Sequence, residues 1–220
     1  MRVDKTITVE GGSTVSIAPD QIILSLTLSA KEETYEKTMA QAEQSLSSLQ
    51  SCFSFLGFEK EDIKTQNYKV SLWTEQIENQ GRWETEYKGY CCIHQLSLAF
   101  DMDMKKLSVV LAALSNSGSL PCFTVQFTVK DKNKVQEELL YKAAENARKK
   151  AEILAAASGV KLGELAKIDY HWDNRPIFST TSFHDAYLRT ASSSFSSPVS
   201  EISPQEIEVS DRVIFLWEIQ

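Results

Sequence analysis

Between residues 22 and 56 the spacing of apolar side chains changes period, and this change constrains the fold more than any other feature of the chain. Ile22, Leu24, Leu26 and Leu28 alternate with Ile23, Ser25, Thr27 and Ser29, the two-residue period of a half-buried strand. From Thr34 to Leu56, the residues Tyr35, Met39, Ala42, Leu46, Leu49, Phe53 and Leu56 recur at alternating steps of four and three. That is the stripe of an amphipathic helix, with Gly57 as its stop. A strand with one apolar face followed by a helix with one apolar stripe buries both when the helix lies across the sheet. A coiled-coil seam shows a similar stripe, but the flanking strands favour helix on sheet.

The same order returns later in the chain. Phe123, Val125, Phe127 and Val129 alternate with Thr124, Gln126 and Thr128, and Asp131 is placed to cap a helix running to about Ser158, with Gly159 at its stop. Its Ala143, Ala144, Ala147, Ala151 and Ala155 keep one flank small, which lets a sheet or second helix approach closely. The strand near Leu24, helix, Gly57 and strand after Ile63 match the strand near Val125, helix, Gly159 and strand after Ile168, a weak internal duplication in element order but not in identity.

The remaining segments fill in an α+β pattern. Ile7 to Glu10 reads as a strand, Gly11-Gly12 as a turn, and Val15 to Ala30 as an extended segment interrupted at Pro19-Asp20, where the missing proline N–H predicts a bulge or edge position. Tyr68, Val70 and Leu72 lead toward Ile77, a polar turn follows at Asn79-Gln80-Gly81, and Tyr90, Cys92, Leu96, Leu98 and Phe100 come back in step. Together they predict a long antiparallel hairpin. Asp103 fits the N-cap of a short helix bearing Leu107, Val110, Leu111 and Leu114, with Gly118 at its end. Strands are expected over Ala166 to Trp172 and Ile207 to Ile219. The expectation is one α+β domain over residues 1–220, with antiparallel or mixed sheets, two long helices, a long β-hairpin and a subdivision near 120. A flexible loop rich in Ser and Thr is expected over about 174–204, too long for a plain connection.

Several function classes are disfavoured at this level. A formal net charge of -7 argues against a nucleic-acid binder, since phosphate neutralisation needs clustered Lys and Arg. The tight basic cluster Arg148-Lys149-Lys150 lies in a helical pattern and reads as a solvated face. No stretch approaches the roughly 20 apolar residues of a membrane span. Cys52, Cys91, Cys92 and Cys122 show no metal-ligand spacing, and adjacent Cys91-Cys92 point to opposite faces of a strand, so they read as reduced, mostly buried thiols. His94, His171 and His184 fall on separate elements without an HExxH spacing. His94 shares strand parity with Leu96 and Leu98 and reads as a satisfied, partly buried histidine. No Gly-rich phosphate loop and no nucleophile elbow is present, so the reading is no cofactor, no metal and no catalytic centre.

The distributed motifs resemble the SIMPL-domain family. Ile7-Thr8-Val9-Glu10-Gly11 with Val15 and Pro19-Asp20 resembles that family's opening strand and Pro-Asp pair, and Asp62-Ile63-Lys64-Thr65 with Tyr68-Lys69-Val70 its Asp-Ile-x-Thr segment. Lys88-Gly89-Tyr90 resembles the Gly-Tyr that opens the next strand, and Ala143 to Gly163, with Gly159, the long helix ending Ala-x-x-x-Gly-x-x-x-Gly. The resemblance spans nearly the whole chain. It implies an α+β domain inclined to form homo-oligomers, a loose association with envelope stress or signalling, and no established enzymatic activity. Many relatives carry a secretion signal, whereas this sequence starts directly at the first strand. A cytoplasmic location is expected if Met1 is the native start, and a periplasmic or secreted one if a leader was removed.

The residues singled out have plain structural readings beside functional ones. Pro19, Asp20, Asp62 and Thr65 fit kinks and turns in which a short acidic side chain accepts a backbone N–H. Gly89, Tyr90, Gly159 and Gly163 are read as structural positions of the resemblance. Trp73, Trp83 and Tyr87 flank the hairpin tip, where large aromatics serve either cross-strand packing or a protein interface. The leading expectation is a non-enzymatic, self-associating structural or interaction domain with a stress- or signalling-related role and an unknown protein partner. The alternative is a ligand-binding or enzymatic domain with a pocket under the 174–204 loop using Asp62, His171 and Asp173.

Overall fold

A computed structural model of the chain describes residues 5–79, 82–117, 121–171, 176–184 and 202–220. In chain order the elements are β1 (Thr6–Ile17), β2 (Gln21–Glu32), α1 (Tyr35–Phe55), β3 (Ile63–Asn79), β4 (Arg82–Asp101), α2 (Met104–Asn116), β5 (Cys122–Thr128), α3 (Lys132–Ala157), β6 (Leu162–Asp169), β7 (Phe178–His184) and β8 (Ile207–Ile219). The fold class is α+β. The strands form a three-stranded sheet ordered β1-β8-β6 and a five-stranded sheet ordered β3-β4-β2-β5-β7. β1 and β6 run antiparallel to β8, and β2 and β3 run antiparallel to β4. Among the described residues no helix is long and apolar enough to cross a membrane.

The chain gathers into two compact units, neither continuous in sequence: Met1–Pro19, Thr128–Thr180 and Gln205–Gln220 form the first, and Asp20–Phe127 with Thr181–Pro204 the second. In the first unit α3 lies on β1 and β8. Asp131 caps α3 by accepting from the Lys134 N–H, and Gly159, at φ 71°, ends it. Ala143, Ala147 and Ala151 are buried against Val9, Val213, Phe215 and Trp217, while Ala144 faces solvent. A second cluster joins Val15, Val129, Val135, Leu139, Ile177, Ile207 and Val209.

Gly11-Gly12 is not a turn. Both residues lie inside β1, opposite Val213 and Arg212 of β8. Glycine is needed at 11 for space: a Cβ built there would stand 2.1 Å from the Ala143 carbonyl oxygen and 2.7 Å from the Ala147 Cβ. The small flank of α3 and the bare backbone of β1 are two halves of one close contact. The pair looked like a turn because glycine's conformational freedom is a local signal, whereas its lack of volume matters only to a partner distant in sequence.

In the second unit Ile22, Leu24, Leu26 and Leu28 of β2 and Leu96, Leu98 and Phe100 of β4 pack against Leu49 and Phe53 of α1 and Leu107, Val110, Leu111 and Leu114 of α2. Thr34 caps α1 by accepting from the Lys37 N–H, and Gly57, at φ 83°, closes it. The stripe read from sequence is the buried one from Ala42 onward. In the first turns Thr38 takes the inward position, its hydroxyl donating to the Thr34 carbonyl at 2.9 Å. Asp103 caps α2, accepting from the Lys105 and Lys106 N–H groups. The proposed stop at Gly118 lies outside the described residues.

The recurrent strand-helix-glycine-strand order leads to different sheets. β2 and β3 belong to the same five-stranded sheet, whereas β5 joins that sheet and β6 pairs with β8 in the other. The strand expected at Ala166 to Trp172 starts earlier, at Leu162. The segment 174–204, expected as a loop, contains β7, which forms one edge of the five-stranded sheet. Its alternation is short and hydroxyl-rich, so composition resembled a linker, yet Phe183 packs edge-on against Phe127 at 5.9 Å. Residues 174–175 and 185–201 of that segment lie outside the described residues.

Candidate functional site

The expected hairpin is present and has two parts. Over its inner part β4 pairs with β2 from Asp101 opposite Gln21 to Tyr90 opposite Glu32, where β2 ends, and with β3 on its other side from Leu98 opposite Ile63 onward. Beyond Tyr90, among the described residues, β4 pairs with β3 alone, from Trp73 opposite Gly89 to Asn79 opposite Arg82. This outer part is a two-stranded arm. Its internal bonds are modest: Gln76 Nε2 donates to Thr85 Oγ1 at 2.8 Å, and Asn79 Nδ2 to Glu84 Oε2 at 3.4 Å.

A bulge marks the root of the arm. The register passes from Trp73–Gly89 to Thr74–Tyr87, leaving Lys88 extra. Gly89 holds φ 139°, and a Cβ there would meet the Glu32 carbonyl oxygen at 2.2 Å and the Glu33 Cα at 2.7 Å, so the link from β2 to α1 passes directly over it. Gly89-Tyr90 therefore does not open a strand. It sits in the middle of β4 and re-aims it. Lys88 reaches Glu86 at 2.6 Å, and this ion pair raises the lysine's pKa. It offsets the like-charge contact of Glu86 directly across from Glu75.

The bulge also decides which side chains share a face. With one extra residue, Tyr87 and Tyr90 fall on the same side, joined there by Leu72 and Trp83 through their partners in β3 and β4. Tyr35, Tyr90 and Tyr87 form an edge-to-face chain with ring centroids 5.7 and 6.1 Å apart. Leu72 is 63%, Tyr87 52% and Trp83 70% exposed. Trp73 is on the opposite face, where Lys31 Nζ sits 5.3 Å from its ring centroid. Of the three aromatics read from sequence, the structure brings Trp83 and Tyr87 together and separates Trp73. Leu72, Tyr90 and Tyr35 complete the row, and the glycine before Tyr90 was the available signal of a bulge that aligns them.

The other residues singled out lie apart from this row. Pro19 and Asp20 link β1 to β2, outside any strand, and the Asp20 carbonyl accepts from the Met102 N–H at 3.0 Å. Asp62 ends a single 3₁₀ turn, its carboxylate accepting from the Glu59 N–H at 2.9 Å. Gly163 lies in β6, where a Cβ would stand 2.9 Å from the Glu218 carbonyl oxygen. Asp62 belongs to the second unit and His171 to the first, and Asp173 lies outside the described residues.

A second feature of the same sheet face was not read from sequence. Between α1 and the inner hairpin runs a groove of about 500 Å³ lined by Glu36, Met39, Ala40, Ala42, Glu43, Leu46, Tyr68 and His94. His94 is 7% exposed, its Nε2 lies 2.9 Å from Thr65 Oγ1, and the Tyr68 ring stands edge-on at 4.9 Å. Contact with the Cys92 side chain, then burial, pushes the Tyr68 phenol up to about 12. Burial pushes the His94 pKa below its ordinary 6.5. The imidazole is thus neutral in the fold but protonates in the unfolded chain below about pH 6.5. Its contribution to stability is full above that value and is lost as pH falls toward the depressed folded pKa. His94→Gln is expected to flatten the fall in stability as pH drops below about 6.5 in chemical denaturation, and an unchanged slope would show that His94 is not held neutral.

The model of the family described as SIMPL, protein of unknown function (DUF541), matches residues 7–215. No curated protein matches the chain.

Proposed function

The chain belongs to the SIMPL family, and on that premise we propose that it is a non-enzymatic interaction domain that self-associates through the β3–β4 arm. The supporting observation is the exposed row Leu72, Tyr87 and Trp83 on a two-stranded ribbon that pairs with no further strand among the described residues. An isolated two-stranded hairpin is marginal in water, and an aromatic face left in solvent adds to that cost. Trp and Tyr are the residue types that most often carry interface energy.

A second copy is the partner that fits. β3 is an edge strand, so two copies can pair their β3 edges antiparallel about a two-fold axis and set the two aromatic rows side by side. With a net charge of -7 on each copy, the contact has to be made by apolar rather than charged surface.

Light scattering over a wide concentration range is expected to show a discrete oligomer. Trp83→Ala with Tyr87→Ala is expected to weaken it by about 30-fold in Kd, corresponding to about 2 kcal/mol for a central aromatic pair. Both residues are exposed, so the protomer fold should be unaffected. Trp73→Ala, on the opposite face, is expected to have a smaller effect. A monomer at every concentration would overturn the proposal.

A further inference from the structure

We infer that Asn146 and Lys150 of α3 close the free edge of β1 against strand addition, and that without them this edge pairs with the same edge of a second copy of the chain. The inference concerns β1 alone and stands whether or not copies associate through the arm.

β1 ends the sheet order β1-β8-β6, so among the described residues one side of its backbone has no partner strand. Such an edge is a template for another chain unless something covers or interrupts it. The register with β8 is unbroken from Thr6 to Ile17, and the Lys5 carbonyl just before it accepts from the Ile219 N–H. In an antiparallel strand both backbone groups of a residue point to one side, and the sides alternate along the chain. Odd-numbered residues of β1 therefore turn their N–H and C=O toward β8, and even-numbered residues turn theirs to the open edge. Two of those edge-facing groups are taken by α3. The Gly12 N–H donates to Asn146 Oδ1 at 3.2 Å, and the Glu10 carbonyl accepts from Lys150 Nζ at 3.0 Å. One donor and one acceptor are thus removed from the middle of the strand, where an added strand would have to bond. The spacing suits both elements, because four residues of helix rise about 6 Å and two residues of strand about 6.6 Å. Side chains one turn apart on α3 meet alternate residues of β1. The short amide of Asn146 reaches the backbone because α3 lies against Gly11, where a Cβ would stand 2.1 Å from the Ala143 carbonyl oxygen. The opposite edge of this sheet is blunted differently: β6 carries two register shifts against β8 and the Lys167–Asp169 ion pair at 2.7 Å. On β1, whose ladder is regular, the protection rests on two side chains.

The test uses the full chain carrying Trp83→Ala and Tyr87→Ala as background, so that association through the arm and through β1 are read separately. Adding Asn146→Ala and Lys150→Ala is expected to tighten self-association about tenfold or more in light scattering and to slow hydrogen exchange at the Thr8 amide, on the newly paired edge. The Val9 and Gly11 amides, which face β8, should keep their protection and so report an intact ladder. Thr8→Pro removes an edge-facing N–H without touching the bonds to β8, and is expected to return the variant to the background. Lys150 is exposed, so Lys150→Ala alone leaves the fold in place and is expected to tighten association about threefold, again reversed by Thr8→Pro. This single variant decides the question if the double substitution costs the Val9 and Gly11 amides their protection. No tightening, or tightening that survives Thr8→Pro, would overturn the inference.

Discussion

Gly11→Ala is expected to destabilise the first unit by about 3 kcal/mol, the upper range for overpacking a close contact. The added methyl would meet the Ala143 carbonyl oxygen at 2.1 Å and the Ala147 Cβ at 2.7 Å. The nearer obstacle is backbone, so no side-chain rotation relieves it and α3 has to move away from β1. That movement would loosen the packing of Ala143, Ala147 and Ala151 on Val9, Val213, Phe215 and Trp217. Gly12→Ala is the internal control, because a Cβ there meets nothing within 4 Å. It should be near neutral. Ala147→Gly should rescue Gly11→Ala only slightly, since the clash with the Ala143 carbonyl remains. Denaturant midpoints, together with hydrogen exchange in β1 and α3, would read the effect, and equal stabilities for the two alanine variants would refute the close contact.

Gly89→Ala is expected to cost a similar amount, about 3 kcal/mol, and to disrupt the arm as well. Two penalties add at this position. A backbone at φ 139° is strained for any residue with a side chain, worth roughly 1–3 kcal/mol. The methyl would also collide with the Glu32 carbonyl at 2.2 Å, on the link that leads into α1. Relief requires straightening the bulge, and a straightened strand moves Tyr87 and Trp83 to the face opposite Tyr90. Hydrogen exchange should report lost protection around Tyr90 and in the first turn of α1. Light scattering should report weakened association although both aromatics are still present. Wild-type protection and assembly in Gly89→Ala would show that the bulge does not set the face of the arm.

Much of the scaffold was legible in the sequence because its signals are local. Thr34 and Gly57 bracket α1, Asp131 and Gly159 bracket α3, and the alternation of Ile22, Leu24, Leu26 and Leu28 marks the buried face of β2. Each rests on capping or periodicity within a few residues. The hairpin was legible for the same reason, from two alternating runs around Asn79-Gln80-Gly81. The candidate site was only partly legible. Trp83 and Tyr87 were singled out, but the face each occupies depends on cross-strand register, and one extra residue at Lys88 reverses the parity. β7 was missed because a hydroxyl-rich strand at a sheet edge has the composition of a linker.

The sequence by itself determined the types of most elements, the ends of α1 and α3, most of the apolar face of each helix and the family to which the chain belongs. These follow from backbone preferences and spacings that act over a turn or a strand. Only the tertiary structure decided that Gly11 is a packing position rather than a turn and that Trp73 stands apart from Trp83 and Tyr87. It also decided that His94, Tyr68 and α1 enclose a groove. Each of these is a relation between segments that come together only when the strands pair and the helices dock, and a side chain's volume or ring nitrogen has no partner to be measured against before then.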